Sequence, residues 1–349
     1  MIETDILIIG GGIAGASLGA AIGARRPVLL VEREAQCGQH STGRSAAFWL
    51  ESYGGPEVAP LTRASHAFLD AQGFLRPRGA IHVSRDAGFA GFASLPRLDR
   101  AALERRISGL RPEWRCGAEE ASCADIDVAA LHAFYLAAMR RAGGRVRLGA
   151  GVKRAWREQQ HWLVELDDSQ QVRARTLVNA AGAWADDVAL LAGVVPLGIV
   201  PKRRTMVQLR VAREGLRALP LVTDADGQFY FKGEGDRTVW LSPHDEADCA
   251  PCDAAPEEYD VATAIARFEK VVDWRVEAVE RSWAGLRSFA PDRVPIYGFD
   301  PREPGFFWCA GQGGVGIQTA PATAALAAAL ILRNVPGIDP RPFSPSRFE

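Results

Sequence analysis

The sequence predicts an α/β protein in which a Rossmann-like domain is combined with a second, α+β domain built on a mixed or antiparallel sheet. Two patterns predict this class. An apolar run at 5–10 is followed by glycines, a small-residue segment at 13–24 and a second apolar run at 28–32, which indicates a strand, a helix and a parallel strand. Between 197 and 283, apolar and polar residues alternate as in strands with one buried face.

The remaining elements follow from the same periodicities. We expect further helices at 127–143, 256–272 and 320–332, and further strands from 145 and at 162–166, 176–182, 205–211, 228–232 and 238–242. The first domain is then predicted to comprise 1–72, 121–196 and 284–349, and the second 73–120 and 197–283. The stretch 73–120 is rich in Arg, Gly and Pro, and fits either a surface excursion or strands of the second domain.

Composition narrows the class of protein. The 349 residues are 48% hydrophobic, enough for a packed core, and a net charge of -1 without a block of arginines argues against a nucleic-acid partner. An export signal has no room before the first strand at Asp5, so we expect a cytoplasmic protein. The apolar run 320–332 is shorter than the roughly 20 residues of a membrane helix, so no transmembrane segment is expected.

The six cysteines are expected to be free thiols, because a chain without an export signal rarely carries disulfides. Cys249 and Cys252 have the spacing of a redox or metal-binding pair. A structural zinc site needs a second such pair, and a redox pair needs a helix start after a strand, so we favour an acidic surface loop without a function.

The glycines after the first strand fit the pattern G-x-G-x-x-G. In that pattern Gly10 permits the tight turn, Gly12 lets the backbone approach a pyrophosphate, and Gly15 lets the helix pack closely on the strand. Glu32 ends the second strand, where an acid can accept the hydroxyls of an adenosine ribose. The acid disfavours a 2'-phosphate, so the motif predicts either FAD or NAD.

Two features favour FAD over NAD. The sequence has no second G-x-G-x-x-G unit with its own acid, as a flavoprotein that also binds a nicotinamide commonly has. The segment 306–319 runs from an apolar strand through a glycine turn into an alanine-rich helix. The free N–H groups and positive dipole end of that helix could face the pyrimidine edge of a flavin.

Six blocks of sequence resemble the FAD-dependent family of D-amino acid oxidase, glycine oxidase and sarcosine oxidase, and are most similar to its D-arginine (D-amino acid) dehydrogenase branch. The likeness runs in order through nearly the whole chain. The blocks are 39–47, 124–127, 177–184, 201–204, 283–289 and 311–319.

The resemblance implies a glutathione-reductase-type FAD-binding domain and a set of cofactor-binding positions. No cysteine stands where sarcosine oxidases attach flavin, at 287–292, so FAD is expected to be non-covalent. The implied cofactor-binding residues, with those of the glycine motif, are Gly10, Gly12, Ile13, Ala14, Gly15, Glu32, Arg33, Ser41, Thr42, Arg44, Ser45, Ala46, Val152, Ala181, Gly182, Trp184, Gly311, Gly313, Gly314, Val315, Gly316, Ile317, Gln318 and Thr319.

The resemblance also implies substrate-binding residues. Arg204 and Arg287 match two arginines that hold the substrate carboxylate, a task suited to the planar guanidinium. Tyr53 and Tyr230 match tyrosines that close over the substrate. Candidates for orienting the amine or a water are Gln318, His40 and Tyr53.

Two positions depart from the arginine-accepting branch. Its glutamate for the substrate guanidinium is Ala80 here, and its histidine after the Ser45–Ala47 run is Phe48. A buried guanidinium without a partner is costly, so we expect an apolar side chain on the substrate rather than D-arginine.

The expected reaction is oxidation of a small D-amino acid to its imino acid by hydride transfer to flavin N5, followed by hydrolysis to the 2-keto acid and ammonia. A 2-hydroxy acid, or an amine such as sarcosine, proline or glycine, fits the same clamp and stays an alternative. A flavin-binding sensor or complex subunit without its own turnover is an alternative of another class. Lys202 and Lys232 lie in blocks matched to the dehydrogenase branch, but the electron acceptor stays open among a quinone, another carrier and O2.

Overall fold

The computed structural model describes residues 1–86 and 92–349. Its helices are α1 (Ile13–Ile22), α2 (Ala59–Ala71), α3 (Arg100–Arg106), α4 (Val128–Arg141), α5 (Ala185–Leu191), α6 (Glu258–Glu269) and α7 (Ala320–Ile331). Its strands are β1 (Ile2–Glu3), β2 (Ile6–Ile9), β3 (Val28–Val31), β4 (Phe48–Trp49), β5 (Leu75–Pro77), β6 (Ala80–Ser84), β7 (Arg97–Leu98), β8 (Cys116–Glu120), β9 (Ala124–Ile126), β10 (Arg145–Arg147), β11 (Val152–Glu158), β12 (His161–Leu166), β13 (Gln171–Ala174), β14 (Thr176–Asn179), β15 (Val200–Val211), β16 (Leu221–Asp224), β17 (Tyr230–Gly233), β18 (Thr238–Ser242), β19 (Ala247–Asp248), β20 (Val276–Phe289), β21 (Ile296–Phe299) and β22 (Phe306–Ala310).

A six-stranded sheet in the order β10-β3-β2-β14-β22-β21 forms the centre of the Rossmann-like part of the protein. All its neighbouring strands are parallel except β21, which pairs antiparallel to β22. The even-numbered residues of β2, Ile6 and Ile8, pack with α1 and α7, whereas Leu7 and Ile9 pack towards the four-stranded sheet β1-β13-β12-β11. Because both faces are covered, β2 is apolar at every position, and the predicted α/β class with a Rossmann-like core is confirmed.

The second large sheet has nine strands, in the order β19-β15-β18-β17-β16-β6-β8-β7 with β20 also paired to β15. Its pairs are antiparallel except β16 with β6. Strands β6, β7 and β8 lie within the stretch 73–120, so that stretch supplies strands to the second sheet. Helix α6 packs on this sheet through Phe268, which contacts Phe231 and Trp274 in a buried aromatic cluster.

Strands β15 and β20 form the longest pairing, from Val200 opposite Phe289 to Val211 opposite Val276. β15 begins five residues before the predicted strand at 205, because its start carries charged rather than alternating apolar residues. The predicted domain boundary at 283/284 falls inside β20, so one continuous strand runs from the second sheet to the turn before α7, where the Gly313 N–H donates to the Ser288 carbonyl at 2.8 Å.

A third, small sheet has the order β4-β9-β5 and is formed by three short strands between residues 48 and 126. Within the two ranges that the structure describes, no helix is both long enough and apolar enough to cross a membrane.

The glycine loop between β2 and α1 cannot accept side chains at two positions. Gly10 has a φ of +107°, and a Cβ there would lie 2.4 Å from the Ala180 carbonyl oxygen. A Cβ on Gly15 would lie 2.0 Å from the carbonyl oxygen of Gly10. Close packing of helix on strand therefore requires glycine at both positions.

We predict that Gly15→Ala destabilises the fold by about 1–3 kcal/mol, because the added methyl group overlaps the Gly10 carbonyl and overpacks the helix–strand contact. The free energy of unfolding from urea denaturation measures this. Gly337→Ala is the matched control, since a Cβ there meets nothing within 4 Å. Equal stability of the two variants would show that the glycine loop can shift to accept a methyl group at position 15 without loss of stability.

Candidate active site

A cleft of about 380 Å³ opens where β2, β3 and β14 end, which is where open α/β sheets bind ligands. Most of the predicted cofactor-binding residues line it. They are Gly10, Gly12, Ile13, Ala14, Glu32, Arg33, Ser41, Thr42, Ser45, Val152, Ala181, Gly182, Trp184, Gly313, Gly314, Gly316 and Ile317.

The other predicted cofactor-binding residues are not among those that line the cleft. They are Gly15, Arg44, Ala46, Gly311, Val315, Gln318 and Thr319. Thr319, for example, is fully buried and donates its hydroxyl hydrogen to the Val315 carbonyl, so it holds the turn before α7.

The Glu32 carboxylate fixes the glycine loop. One of its oxygens accepts the Gly11 N–H at 2.7 Å, and the other accepts the Glu34 N–H at 3.0 Å. Each carboxylate oxygen can accept a second hydrogen bond, so Glu32 can also receive ribose hydroxyls from a ligand in the cleft.

The start of α1 is prepared for an anion. The Thr42 hydroxyl oxygen accepts the Ile13 N–H at 3.0 Å, and the N-cap residue Gly12 makes no side-chain capping bond. The remaining N–H groups of the first turn carry the positive end of the helix dipole. This arrangement suits the pyrophosphate of a dinucleotide.

His132 is a supporting residue that the sequence analysis missed. From α4 its Nε2 donates to the Gly11 carbonyl at 2.8 Å, because a carbonyl can only accept. Burial lowers the pKa of His132, so the ring is neutral at neutral pH. Its only sequence signal was a single histidine on an apolar helix, which is more often a packing residue.

Near the adenosine end of the cleft, Arg33 lies over the Trp184 ring at 5.7 Å, and His40 packs 4.7 Å from the same ring. His40 Nε2 lies 3.0 Å from the Glu34 carboxylate. In the described part of the chain, His40 contacts neither the two arginines of the clamp nor the tyrosines. The prediction that it orients a substrate amine therefore finds no support in its position.

Arg44 connects the loop 38–45 to the second sheet. Its guanidinium donates to the carbonyls of Ala254 at 2.8 Å and Ala284 at 3.2 Å, and pairs with the Asp253 carboxylate. The Trp283 indole N–H donates to the Arg44 carbonyl at 3.1 Å. Arg44 thus positions the loop rather than reaching into the cleft.

Arg204 and Arg287 lie on the same face of the β15–β20 ladder, since Arg287 is opposite Lys202 and Arg204 is two residues further along β15. Arg204 is 3% exposed and partnered: its Nε donates to the Asp245 carbonyl at 2.9 Å and its Nη2 lies 3.0 Å from the Glu246 carboxylate.

Arg287 is 8% exposed and lines the cleft, but its hydrogen bonding within the protein is weak. Its one described hydrogen bond, to the Leu286 carbonyl, is 3.4 Å long, and no carboxylate of the described residues forms an ion pair with it. Burial and the nearby charge of Arg204 lower the pKa of Arg287. A buried cation beside a second cation is stabilised by an anion, so this position calls for an anionic ligand.

Tyr53 and Tyr230 both lie close enough to Arg204 to affect its pKa. Burial lowers the pKa of Arg204, but the two tyrosines and Glu246 raise it by more, so the net shift is upward. The Tyr230 hydroxyl contacts the Met206 sulfur at 3.0 Å. The Tyr53 hydroxyl lies against the glycine turn before α7, where a Cβ on Gly314 would be 2.1 Å from it. Both tyrosines therefore lie near Arg204, and Tyr53 also contacts the turn.

Gln318 holds the segment 50–53 that carries Tyr53. Its side-chain oxygen accepts the Leu50 N–H at 3.1 Å, and its amide nitrogen donates to the Tyr53 carbonyl at 3.3 Å and the Thr62 hydroxyl at 3.0 Å. Both amide donors are thus used to position the segment of Tyr53, while the amide oxygen can accept one more hydrogen bond, so the prediction that Gln318 orients a substrate amine stays a prediction.

Glu120 holds the same segment from the second sheet. It accepts the Ser52 N–H at 3.1 Å and hydroxyl at 2.6 Å, and lies 3.0 Å from His82 Nε2. Burial alone would raise the pKa of Glu120, but the hydrogen bonds from His82 and Ser52 lower it overall, so a carboxylate is present. Sequence analysis missed both Glu120 and His82.

An apolar cluster surrounds the tyrosines, formed by Leu50, Ala80, Cys123, Leu221, Phe48, Tyr53 and Tyr230. The two positions at which the sequence departs from the arginine-accepting branch, Phe48 and Ala80, are both in it. Lys232 is buried beside Phe48, 5.4 Å from its ring, but its amine is paired with Asp125 and Glu234 at 3.0 Å each. Lys202 pairs with Asp248.

All six cysteines are free thiols, in agreement with the sequence. The sulfurs of Cys249 and Cys252 lie 3.6 Å apart in a surface segment. Among the described residues no group of three or more His, Cys, Asp or Glu side chains is arranged to hold a metal ion.

A cleft that runs from a glycine loop and an acid suited to a dinucleotide to a buried arginine, which has no ion-pair partner among the described residues, fits a flavin-dependent oxidoreductase. The residues present fit FAD: the free N–H groups at the start of α1 suit its pyrophosphate, and the Glu32 carboxylate can accept hydrogen bonds from its ribose hydroxyls. The chain belongs to the DAO family, whose description is FAD dependent oxidoreductase and whose model matches residues 5–330.

Individual relatives agree with the family. The chain is 27% identical over 353 residues to a subunit of the opine oxidase of Agrobacterium tumefaciens, with 90% of each protein covered. It is 26% identical over 224 residues to hydrogen cyanide synthase subunit HcnC of Pseudomonas aeruginosa, over 62% of this chain and 51% of that protein, so the match spans about half of that relative.

The crystal structure of glycine oxidase from Geobacillus kaustophilus has the same fold, with a TM-score of 0.85 over 99% of both chains at 20% identity. The family predicted from the sequence is therefore confirmed, and FAD is the cofactor of this family. Closeness to the D-arginine dehydrogenase branch stays a prediction.

We predict that Glu32→Gln weakens FAD binding about 10-fold or more, because an amide replaces the charged acceptor that fixes the loop and that we expect to bind the ribose. Fluorescence titration of the apoprotein with FAD measures the dissociation constant. Glu158→Gln on β11, an exposed glutamate, is the control and should bind FAD like the unchanged protein. Unchanged affinity in Glu32→Gln would exclude a ribose contact.

Proposed function

We propose that this protein oxidises a small free amino acid, a D-amino acid with an apolar side chain, to the imino acid. Water then hydrolyses the imino acid to the 2-keto acid and ammonia. FAD, when bound along the cleft, supplies the two-electron acceptor for the oxidation.

The observation that carries the proposal is Arg287, a buried guanidinium that lines the cleft and lacks an acidic partner among the described residues. A substrate carboxylate supplies the missing charge, with two parallel N–H···O bonds available from the planar guanidinium. Arg204, already oriented by Glu246, is placed on the same face to bind the same carboxylate.

The side-chain preference rests on the apolar cluster of Phe48, Ala80, Leu50 and Leu221. Burying a substrate guanidinium or ammonium there without an acid would be costly, whereas an aliphatic group gains from burial. Tyr53 and Tyr230 cover the same space and exclude water from the reacting carbon.

A second candidate is a flavin-bearing subunit of a larger complex. Two of the relatives named above are described as subunits, of opine oxidase and of hydrogen cyanide synthase. If the isolated chain binds FAD but no amino acid, secondary amine or 2-hydroxy acid reduces it without air, this second candidate is favoured.

We predict that Arg287→Met weakens binding of propanoate to the FAD-loaded protein by about 30-fold or more, the loss expected when one partner of a buried charge pair is removed. Perturbation of the flavin absorption spectrum measures the dissociation constant. The control is Arg281→Met, an exposed arginine of the same strand that packs on Trp283. Circular dichroism and FAD content establish that both variants fold. The carboxylate clamp is refuted if Arg287→Met binds propanoate as tightly as the control.

A panel of amino acids tests the side-chain preference. We expect D-alanine, D-valine and D-leucine to bleach the flavin absorbance under anaerobic conditions at least about 10-fold more efficiently than D-arginine, the difference produced by roughly 1.4 kcal/mol. Each L-enantiomer, sarcosine, L-proline and lactate serve as comparisons. A preference for D-arginine would contradict the apolar pocket, and a preference for proline or lactate would shift the proposal to its alternatives.

A further inference from the structure

His244 lies near the clamp and has no role in the expected reaction. It is placed between β18 and β19, and its ring centre is 5.8 Å from that of Tyr230 and 6.5 Å from that of Tyr53. The two tyrosines that cover the proposed substrate space therefore flank this imidazole.

The backbone of His244 is held in an uncommon conformation. Its φ is 55°, in the left-handed region that non-glycine residues rarely occupy. Its N–H donates to the Ser242 hydroxyl at 3.1 Å, while the next residue, Asp245, accepts the N–H of Thr205 at 2.7 Å and its hydroxyl at 2.9 Å. Such strain persists where surrounding bonds fix it, often at functional sites.

One ring nitrogen is committed and the other is available. Nδ1 lies at 2.5 Å from the Gly227 carbonyl, which can only accept, so Nδ1 carries the hydrogen. Nε2 then has a lone pair. It makes no hydrogen bond within the described residues, so its acceptor capacity is unused.

We propose that His244 recognises the substrate amine: its Nε2 accepts a hydrogen bond from the amino group while Arg204 and Arg287 hold the carboxylate. This inference rests on the proposed function, and adds the second recognition point of an amino acid. No bond is broken in this step. The apolar cluster beside the clamp is formed by Leu50, Ala80, Cys123, Leu221, Phe48, Tyr53 and Tyr230, and none of these side chains carries a nitrogen.

The electrostatic setting supports the proposal. Burial, and next the charge of Arg204, lower the pKa of His244 to about 4, against the raising effects of Gly227 and Glu246. Arg267 on α6 also lowers the pKa, and the two tyrosines, Tyr53 and Tyr230, flank the ring. At neutral pH the imidazole is thus an acceptor and does not repel an ammonium group.

Two ligands of the same shape test the proposal without turnover. 2-Aminoisobutyrate has no α hydrogen and cannot be oxidised, and in 2,2-dimethylpropanoate a methyl group replaces its amine. With FAD-loaded protein at pH 7.5, His244→Phe should weaken binding of 2-aminoisobutyrate about 10-fold or more, but change the affinity for 2,2-dimethylpropanoate by less than about 3-fold. Isothermal titration calorimetry measures both constants.

Control variants separate recognition from folding. His244→Gln keeps an acceptor and should recover part of the affinity for 2-aminoisobutyrate, and His161→Phe, a histidine on β12, should change neither constant. Melting temperature and FAD content exclude unfolding. Equal losses for both ligands in His244→Phe would assign the residue a structural role and overturn the inference. If the unchanged protein binds neither ligand, the carboxylate clamp itself fails, and the proposed function fails with it.

A second readout follows the ring itself. Because the charge of Arg204 lowers the pKa of His244, a bound carboxylate should raise it, and the midpoint of the His244 Cε1 proton signal should move upward from about 4 when 2,2-dimethylpropanoate is added. Comparison with His244→Gln assigns the signal among the six histidines. A midpoint unaffected by the ligand would place His244 outside the substrate site.

Discussion

Two arginine side chains buried on one face of a β-ladder are the constraint around which this site is arranged. Like charges in a poorly solvated space repel, and each loses hydration, so the arrangement is stable only where anions compensate. The structure compensates Arg204 internally, through Glu246 and the Asp245 carbonyl, and leaves Arg287 to the cleft. This asymmetry is the basis of the proposed division of roles, with Arg204 as a fixed support and Arg287 as the receptor for an anionic ligand.

The clamp also depends on how the two large sheets are joined. β20 continues from the second sheet into the cleft, and the Ser41 hydroxyl donates to its Leu286 carbonyl at 2.7 Å, while Arg44 bonds the Ala284 carbonyl. Residues 50–53 are held from both sides, by Gln318 at the start of the carboxyl-terminal helix and by Glu120 of the second sheet. Tyr53 is therefore positioned by both parts of the molecule, so a displacement of either sheet would move the Tyr53 side chain.

The sequence predicted the parts of the site that are local in the chain. Gly10, Gly12 and Glu32 lie within one β-α-β unit, and the spacing alone indicates their roles. His132 and Glu120 were not predicted because their partners are distant in the chain: His132 bonds a glycine 121 residues away, and Glu120 accepts from Ser52, 68 residues away. Gln318 and His40 lie in sequence blocks that match the family. A match in sequence, however, does not show with which neighbouring groups a side chain forms its hydrogen bonds.

Carboxylate binding and amine recognition are linked through charge. The positive charge of Arg204 is the second cause, after burial, of the lowered pKa of His244, so an anion at the clamp reduces that effect and makes the imidazole a better acceptor. Linkage is reciprocal, hence an amine hydrogen-bonded to His244 favours retention of the carboxylate by the same free energy. A ligand with only one of the two groups gains none of this coupling. In the proposed complex this coupling favours the whole amino acid over its separate functional groups.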